Sequence, residues 1–300
     1  MFNGLNYFGS KLVADLSVFD RSSDYKFFDT YRSRIAKIKF LLNLKKTSLF
    51  ISFNGVTKQS GSLDKVIDFK IPMIMFWHGT DAAIAINRHN EGVLDRRYID
   101  YCQAHYTDAP WIKNELEIIG INSNILPFKH VSVNLQDSIY EEINILTYLA
   151  KDKEIFYGWN TVKLLATHFN NLNFTVVGSD GMGLDPLFNV KFMDWCNENE
   201  MRRLRSTHAI FIRFTEHDGF SLSVIESLAG GMEVIWNYPA LGAEYARNID
   251  EAIFSMNKII SRLKSRNLKC SIENKLIART FDKQTVMTNL INVLHEQTNH

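Results

Sequence analysis

Short apolar runs alternate along this chain with longer stretches in which apolar positions return every three or four residues. The short runs read as buried strands and the 3.6-residue spacing as helices packed on them. Strands are expected at 47–53 (TSLFISF), 71–77 (IPMIMFW), 125–128, in the run that opens at Glu142, at 173–178 (NFTVVG), 190–193, 208–214 (HAIFIRF) and 232–236. Residues 1–17 read as a short strand, a Gly9-Ser10 turn and a helix carrying Leu12, Val13 and Leu16, and 25–29 as a second short strand. Helices are expected at 62–69, from Asp108 as N-cap with Pro110 in the first turn to Gly120, from Asn197 with Glu200 as a capping box, and over 249–263 and 277–295. Strand–helix alternation of this kind implies an α/β class with parallel sheets. Three hundred residues exceed one ordinary core and suggest two domains, joined by the polar stretch 130–142.

One run carries more chemistry than the rest: residues 213–236, RFTEHDGFSLSVIESLAGGMEVIW. An apolar strand breaks into a polar turn at which Gly219 supplies backbone freedom. Ser221 opens a helix with Leu222, Val224, Ile225, Leu228 and Ala229 on its apolar face, and Gly230-Gly231 ends it. The first amides of a helix lack internal partners and sit at its positive pole. A diphosphate on the amides of Phe220, Ser221, Leu222 and Ser223 would satisfy both, and Glu226, one turn on, could accept hydrogen bonds from sugar or ribose hydroxyls.

A second candidate follows the strand 71–77: His78-Gly79-Thr80-Asp81 lies at a strand's carboxyl end, where ligands of parallel sheets sit. Asp81 reads equally as a cap for the helix after it. His105 reads as a core histidine. Residues 31–46 (YRSRIAKIKFLLNLKK) hold six cations and no acid around Ile35, Ile38, Leu41, Leu42 and Leu44. That helix either lies on an anionic membrane or packs on a sheet with a solvated basic rim.

Composition narrows the classes. A net charge of +1 argues against nucleic acid as partner. The three cysteines, Cys102, Cys196 and Cys270, are widely spaced without a CxxC, so neither a disulfide framework nor a zinc site is expected, and a reducing cytoplasm fits. The first twenty residues lack a secretory apolar core, and no run approaches membrane-spanning length. GSDGMG, 178–183, misses the dinucleotide fingerprint, and no such fingerprint follows the first strand, which argues against an oxidoreductase.

The run 213–236 resembles that of sugar-nucleotide-dependent glycosyltransferases of the GT-B fold, family-four type: an acid, seven residues, then Glu, a small-residue helix end and a buried strand. Asp218 and Glu226 have that spacing. The chain departs in carrying Asp218 where many members have Glu, with Glu216 out of register, and Glu233 in place of a proline. The resemblance implies two Rossmann-like domains facing across a cleft, an acceptor domain over 1–130, a nucleotide-sugar domain over 131–282, and a last helix, 283–300, crossing back to the first. It implies a metal-independent, retaining transfer from a UDP or GDP sugar to a hydroxyl acceptor (a glycan, a lipid-linked saccharide or a small molecule), with no resident cofactor.

Residue by residue, the resemblance places Lys151 or, preferentially, Lys153 on the donor diphosphate, with Gly178 and Trp195 in the donor site, backbone groups near Trp195 meeting the base. It places His217, Asp218, Gly219 and Phe220 at the donor sugar or phosphate, and His78 and Asp81 at the transferred sugar as base or by electrostatics. It also implies polysaccharide biosynthesis in the cytoplasm, at the inner membrane face if 31–46 binds lipid. A nucleotide-sugar epimerase of the same architecture and a non-catalytic partner subunit are the other classes that fit.

Overall fold

The computed structural model describes residues 1–31, 33–135 and 139–298. Arg32 of the basic stretch, 136–138 of the polar linker and the last two residues lie outside them. The chain divides into two compact units: Met1–Lys129, His217–Phe220 and Lys283–His300 form one, His130–Glu216 and Ser221–Asp282 the other.

Unit one runs β1 (Phe2–Gly4), α1 (Asn6–Phe19), α2 (Arg34–Leu44), β2 (Phe50–Phe53), α3 (Gly61–Asp68), β3 (Met73–Trp77), α4 (Thr80–Asn90), α5 (Arg97–Tyr101), β4 (Ala104–Thr107), α6 (Pro110–Ile118) and β5 (Asn124–Ile125). Its five strands pair in parallel in sequence order. β3 explains the unbroken apolar run. Met73, Met75 and Trp77 enter a core with Phe40, Val66, Ile112 and Leu116, while Ile74 and Phe76 enter another with Leu12 and Leu16 of α1. Alternate residues point to opposite faces, so a strand covered on both sides has no polar position.

Unit two runs β6 (Asn144–Tyr148), α7 (Trp159–His168), β7 (Asn173–Val177), β8 (Val190–Met193), α8 (Glu198–Thr207), β9 (Ile210–Arg213), α9 (Leu222–Ala229), β10 (Glu233–Trp236), β11 (Ala243–Tyr245), α10 (Ile249–Ser265) and α11 (Ile272–Ala278). The strands pair in parallel in the order β11-β10-β9-β6-β7-β8. Strand order therefore reverses between β6 and β9. Asn197 and Glu200 form the expected capping box on α8. The final helix, α12 (Lys283–Thr298), belongs to unit one and buries Val286, Met287, Leu290 and Leu294 in the core that holds α1. No helix among the described residues is long and apolar enough to cross a membrane.

Several local expectations need correction. Gly9 and Ser10 lie inside α1, not in a turn; a Cβ on Gly9 would stand 2.5 Å from the Phe27 ring, so its smallness serves packing. The stretch 25–29 contributes one bridge, Phe27 to Phe2, instead of a strand. The strand expected at 125–128 is the two-residue β5. Ala109 is the N-cap of α6, and Asp108 is used elsewhere. On α2 only Phe40 and Leu44 are buried, leaving Ile35, Ile38, Leu41 and Leu42 exposed.

Candidate functional site

In unit two, the segments that follow β6 and β9 emerge at the strand-order reversal, the position at which open α/β sheets bind ligands. They are tied together: the Glu216 amide donates to the Phe156 carbonyl at 2.9 Å. A Cβ on Gly158, the N-cap of α7 with φ 94°, would stand 1.9 Å from the Phe214 carbonyl oxygen. Lys151 and Lys153 lie in the turn after β6, both exposed; Lys151 pairs with Asp180. Gly178 follows β7 with φ 92°, and a Cβ there would meet the Tyr148 ring at 2.6 Å. Trp195, past β8, is 75% exposed.

Ser221 is the N-cap of α9, but its side chain makes no capping bond; its hydroxyl pairs with that of Ser223 at 2.8 Å. The amides opening α9, from Leu222 on, are therefore left without a side-chain cap from Ser221. Four residues into the helix, Glu226 receives a hydrogen bond from Arg205 Nη1 at 3.0 Å, which fixes its carboxylate while leaving the side chain about a third exposed.

Unit one carries a second cluster, at the carboxyl ends of β3 and β4. His78 lies between the rings of Phe53 and Phe128, at centroid distances of 4.5 and 4.8 Å. Its Nε2 meets the Phe53 carbonyl at 3.2 Å, so Nε2 carries the proton and Nδ1 is an acceptor, buried and without a partner. Burial, reinforced by Lys129, lowers the His78 pKa to about 3, so the ring is neutral. The Asp81 carboxylate accepts from four backbone amides, those of Gly55, His78, Gly79 and Ala82. Asp81 thus clasps the ends of β2 and β3 as well as the start of α4. Burial pushes its pKa up against those donors.

The segment 217–220 is seated on the same cluster. Asp108 Oδ1 accepts the Phe220 amide at 3.2 Å, and Lys129 Nζ donates to Asp108 Oδ2 at 2.7 Å and to the Phe220 carbonyl at 2.6 Å. Trp111 Nε1 donates to the Asp218 carbonyl at 2.7 Å, and its ring stacks on Phe220 at 5.7 Å. His217 Nε2 meets Glu115 Oε2 at 2.8 Å, and its Nδ1 is buried without a partner. The bond to Glu115 raises the His217 pKa, helped by the charges of Asp218 and Asp81.

Two expectations change here. The Phe220 amide is engaged by Asp108, so it drops out of the row assigned to a diphosphate. Gly219 does not adopt a left-handed backbone; it is required because a Cβ would meet the His78 carbonyl oxygen at 2.1 Å.

Trp111, Glu115 and Lys129 were not singled out by the sequence, and Asp108 was read only as a helix cap. Asp108 follows the carboxyl end of β4, the position that singled out His78 after β3, and could have been found by that rule. Lys129 carries no local signal. His105 is a neutral core residue, its Nδ1 accepting a hydrogen bond from Trp77 Nε1 and its Nε2 donating to the Ile99 carbonyl. Among the described residues no group of three or more His, Cys, Asp or Glu is placed to hold a metal ion.

No protein-family model matches the sequence, and a search of curated proteins finds no match either. Solved structures do match. Anabaena Alr3699/HepE in complex with UDP-glucose aligns at TM-score 0.68 and 10% identity, over 98% of this chain and 99% of that one. The lipopolysaccharide outer core galactosyltransferase WaaB, in its apo form, aligns at TM-score 0.62 and 15% identity, over 99% of both. The pneumococcal O-GlcNAc transferase GtfA in complex with UDP and GlcNAc aligns at TM-score 0.62 and 13% identity, over 88% of this chain. This chain spans 60% of the GtfA chain's length. The shared architecture is the GT-B fold: two Rossmann-like α/β units, each on a parallel sheet.

Proposed function

We propose that this protein is a glycosyltransferase that moves a sugar from a nucleoside-diphosphate sugar to a hydroxyl acceptor. The observation that carries the reading is the mouth of α9, uncapped by its own serine, at the strand-order reversal of unit two. The amides from Leu222 onward and the Lys153 ammonium hold the diphosphate, and a fixed positive environment there offsets charge on the departing nucleotide. Glu226, oriented by Arg205, grips the ribose hydroxyls. Gly178 keeps the backbone low beside the base, and exposed Trp195 offers it an apolar face.

In unit one, neutral His78 acts on the transferred sugar by position and electrostatics. Asp81 acts by holding the His78-Gly79 backbone in place. His217 and Asp218 set the local charge at the reacting sugar. The transfer needs no metal, because helix amides and lysine supply the electrostatics, and it proceeds with retention. A cytoplasmic setting and a glycan or lipid-linked acceptor, as in polysaccharide biosynthesis, complete the reading. It is supported by the UDP and UDP-glucose bound to the structural neighbours.

The test is a screen of sugar nucleotides, with hydrolysis and transfer to simple hydroxyl acceptors followed by product analysis. Wild type hydrolyses one donor slowly and transfers its sugar faster, and Glu226→Ala loses most donor affinity. An isomerised sugar nucleotide formed from donor alone would make the protein an epimerase. Failure to bind any sugar nucleotide would leave a non-catalytic partner of the same fold.

A further inference from the structure

Helix α2 presents two apolar faces, and the core uses one of them. Phe40 and Leu44 are fully buried. Turned away from them, Ile35, Ile38 and Leu42, spaced i, i+3 and i+7, form a stripe that is 67%, 60% and 74% exposed, with Leu41 beside it. An exposed aliphatic row opposite the packed face contributes nothing to the fold. Its flanks are cationic: Arg34, Lys37, Lys39, Lys45 and Lys46 are all exposed. No acidic residue occurs anywhere from 30 to 63, although the whole chain is nearly neutral at +1.

We infer that α2 is a docking surface for an anionic lipid bilayer. Ile35, Ile38, Leu41 and Leu42 enter the boundary between headgroups and acyl chains, and the surrounding lysines and arginine meet lipid phosphates. The charge pattern selects this occupant. A second copy of the same segment, 34–46, would bring five cations against five, and a neutral apolar partner would leave them uncompensated. The inference rests on α2 alone and stands whether or not the chain transfers sugars.

Flotation of the full chain with phosphatidylglycerol vesicles, and with phosphatidylcholine vesicles as the uncharged comparison, tests it. The chain floats with the anionic vesicles and is released in about 1 M salt, where the screening length is about 3 Å. Lys37→Gln and Lys45→Gln each weaken partitioning about fivefold, the equivalent of about 1 kcal/mol per cation near an anionic surface. The double variant Ile35→Ser, Leu42→Ser loses at least about tenfold. All four positions are exposed, so these variants keep the wild-type thermal midpoint, which a melting curve verifies. No flotation with anionic vesicles, or flotation that these variants leave unchanged, overturns the proposal. A concentration-dependent dimer abolished by the double variant would assign the stripe to a second copy instead and likewise overturn it.

Discussion

A Cβ on Gly219 would stand 2.1 Å from the carbonyl oxygen of His78. The two backbones touch where one has no side chain to interpose. From the other side, a Cβ on Gly79 would stand 2.7 Å from the Gly219 nitrogen, and Gly79 also holds φ 126°. Neither neighbour can yield, because both contacting atoms are backbone. Gly219→Ala is therefore expected to lower stability by about 1–3 kcal/mol, the usual range for forced overpacking. Gly61→Ala, where nothing lies within 4 Å, is the matched control. Urea midpoints measured side by side decide it; equal midpoints would show that the segment 217–220 does not sit as described.

The pair His217–Glu115 gives that seating a pH dependence. Its partner raises the His217 pKa above 6.5, so the folded state holds the proton more tightly than the unfolded one. The stabilisation is complete below pH 6.5 and is lost as pH rises through the raised folded-state value. Both side chains are mostly buried, and the pair is worth about 1 kcal/mol. Stability of wild type relative to His217→Gln, followed from pH 6 to 9, should converge at the alkaline end. A constant difference across that range would refute the pairing.

His78 has the opposite sign. Its folded-state pKa of about 3 lies below the usual 6.5, so on acidification the unfolded chain gains a proton that the folded one refuses. Stability falls from pH 6.5 toward 3 by as much as about 1.4 kcal/mol per pH unit from this group alone. His78→Gln removes that contribution, so its urea midpoint declines less between pH 6.5 and 4 than that of wild type. Parallel declines would mean the ring is protonated in the native protein.

Glu233 occupies the place at which the resembling family has proline, and the structure gives its reason. Its carboxylate is buried and paired with Arg262 and Arg266, while Arg262 also reaches Glu244 at 3.1 Å. Removing the carboxylate leaves two guanidinium groups facing each other without their shared anion. Glu233→Ala should cost about 3 kcal/mol, the low end for a broken buried pair, because both arginines remain partly solvated. A Glu233→Pro variant, which loses the carboxylate and the amide bonded to the Ala209 carbonyl, should be worse. Equilibrium unfolding of the two variants ranks them.

Legibility in the sequence followed burial. The run 71–77 could be read because β3 is covered on both faces, and Asn197–Glu200 because a capping box is local. The short pairings at Phe27 and β5 could not, since a bridge or a two-residue edge leaves no periodic trace. α2 misled because its apolar residues divide between core and solvent, which spacing alone cannot sort. At the candidate site, the residues next to glycines and strand ends announced themselves. Lys129 and Glu115 did not, because their role depends on His217 and Phe220 arriving from about a hundred positions away, as the separations of their bonds show.

The return of α12 to unit one has a bearing on biosynthesis. Val286, Met287, Leu290 and Leu294 complete the hydrophobic layer over Leu12, Val13 and Leu16. While the ribosome is still reading the middle of the message, that layer lies open, and the amino-terminal unit cannot close until α12 has been made. The unit translated second is thus the first to have all its pieces, and a chain terminated early would carry a bare apolar flank for chaperones and proteases to find.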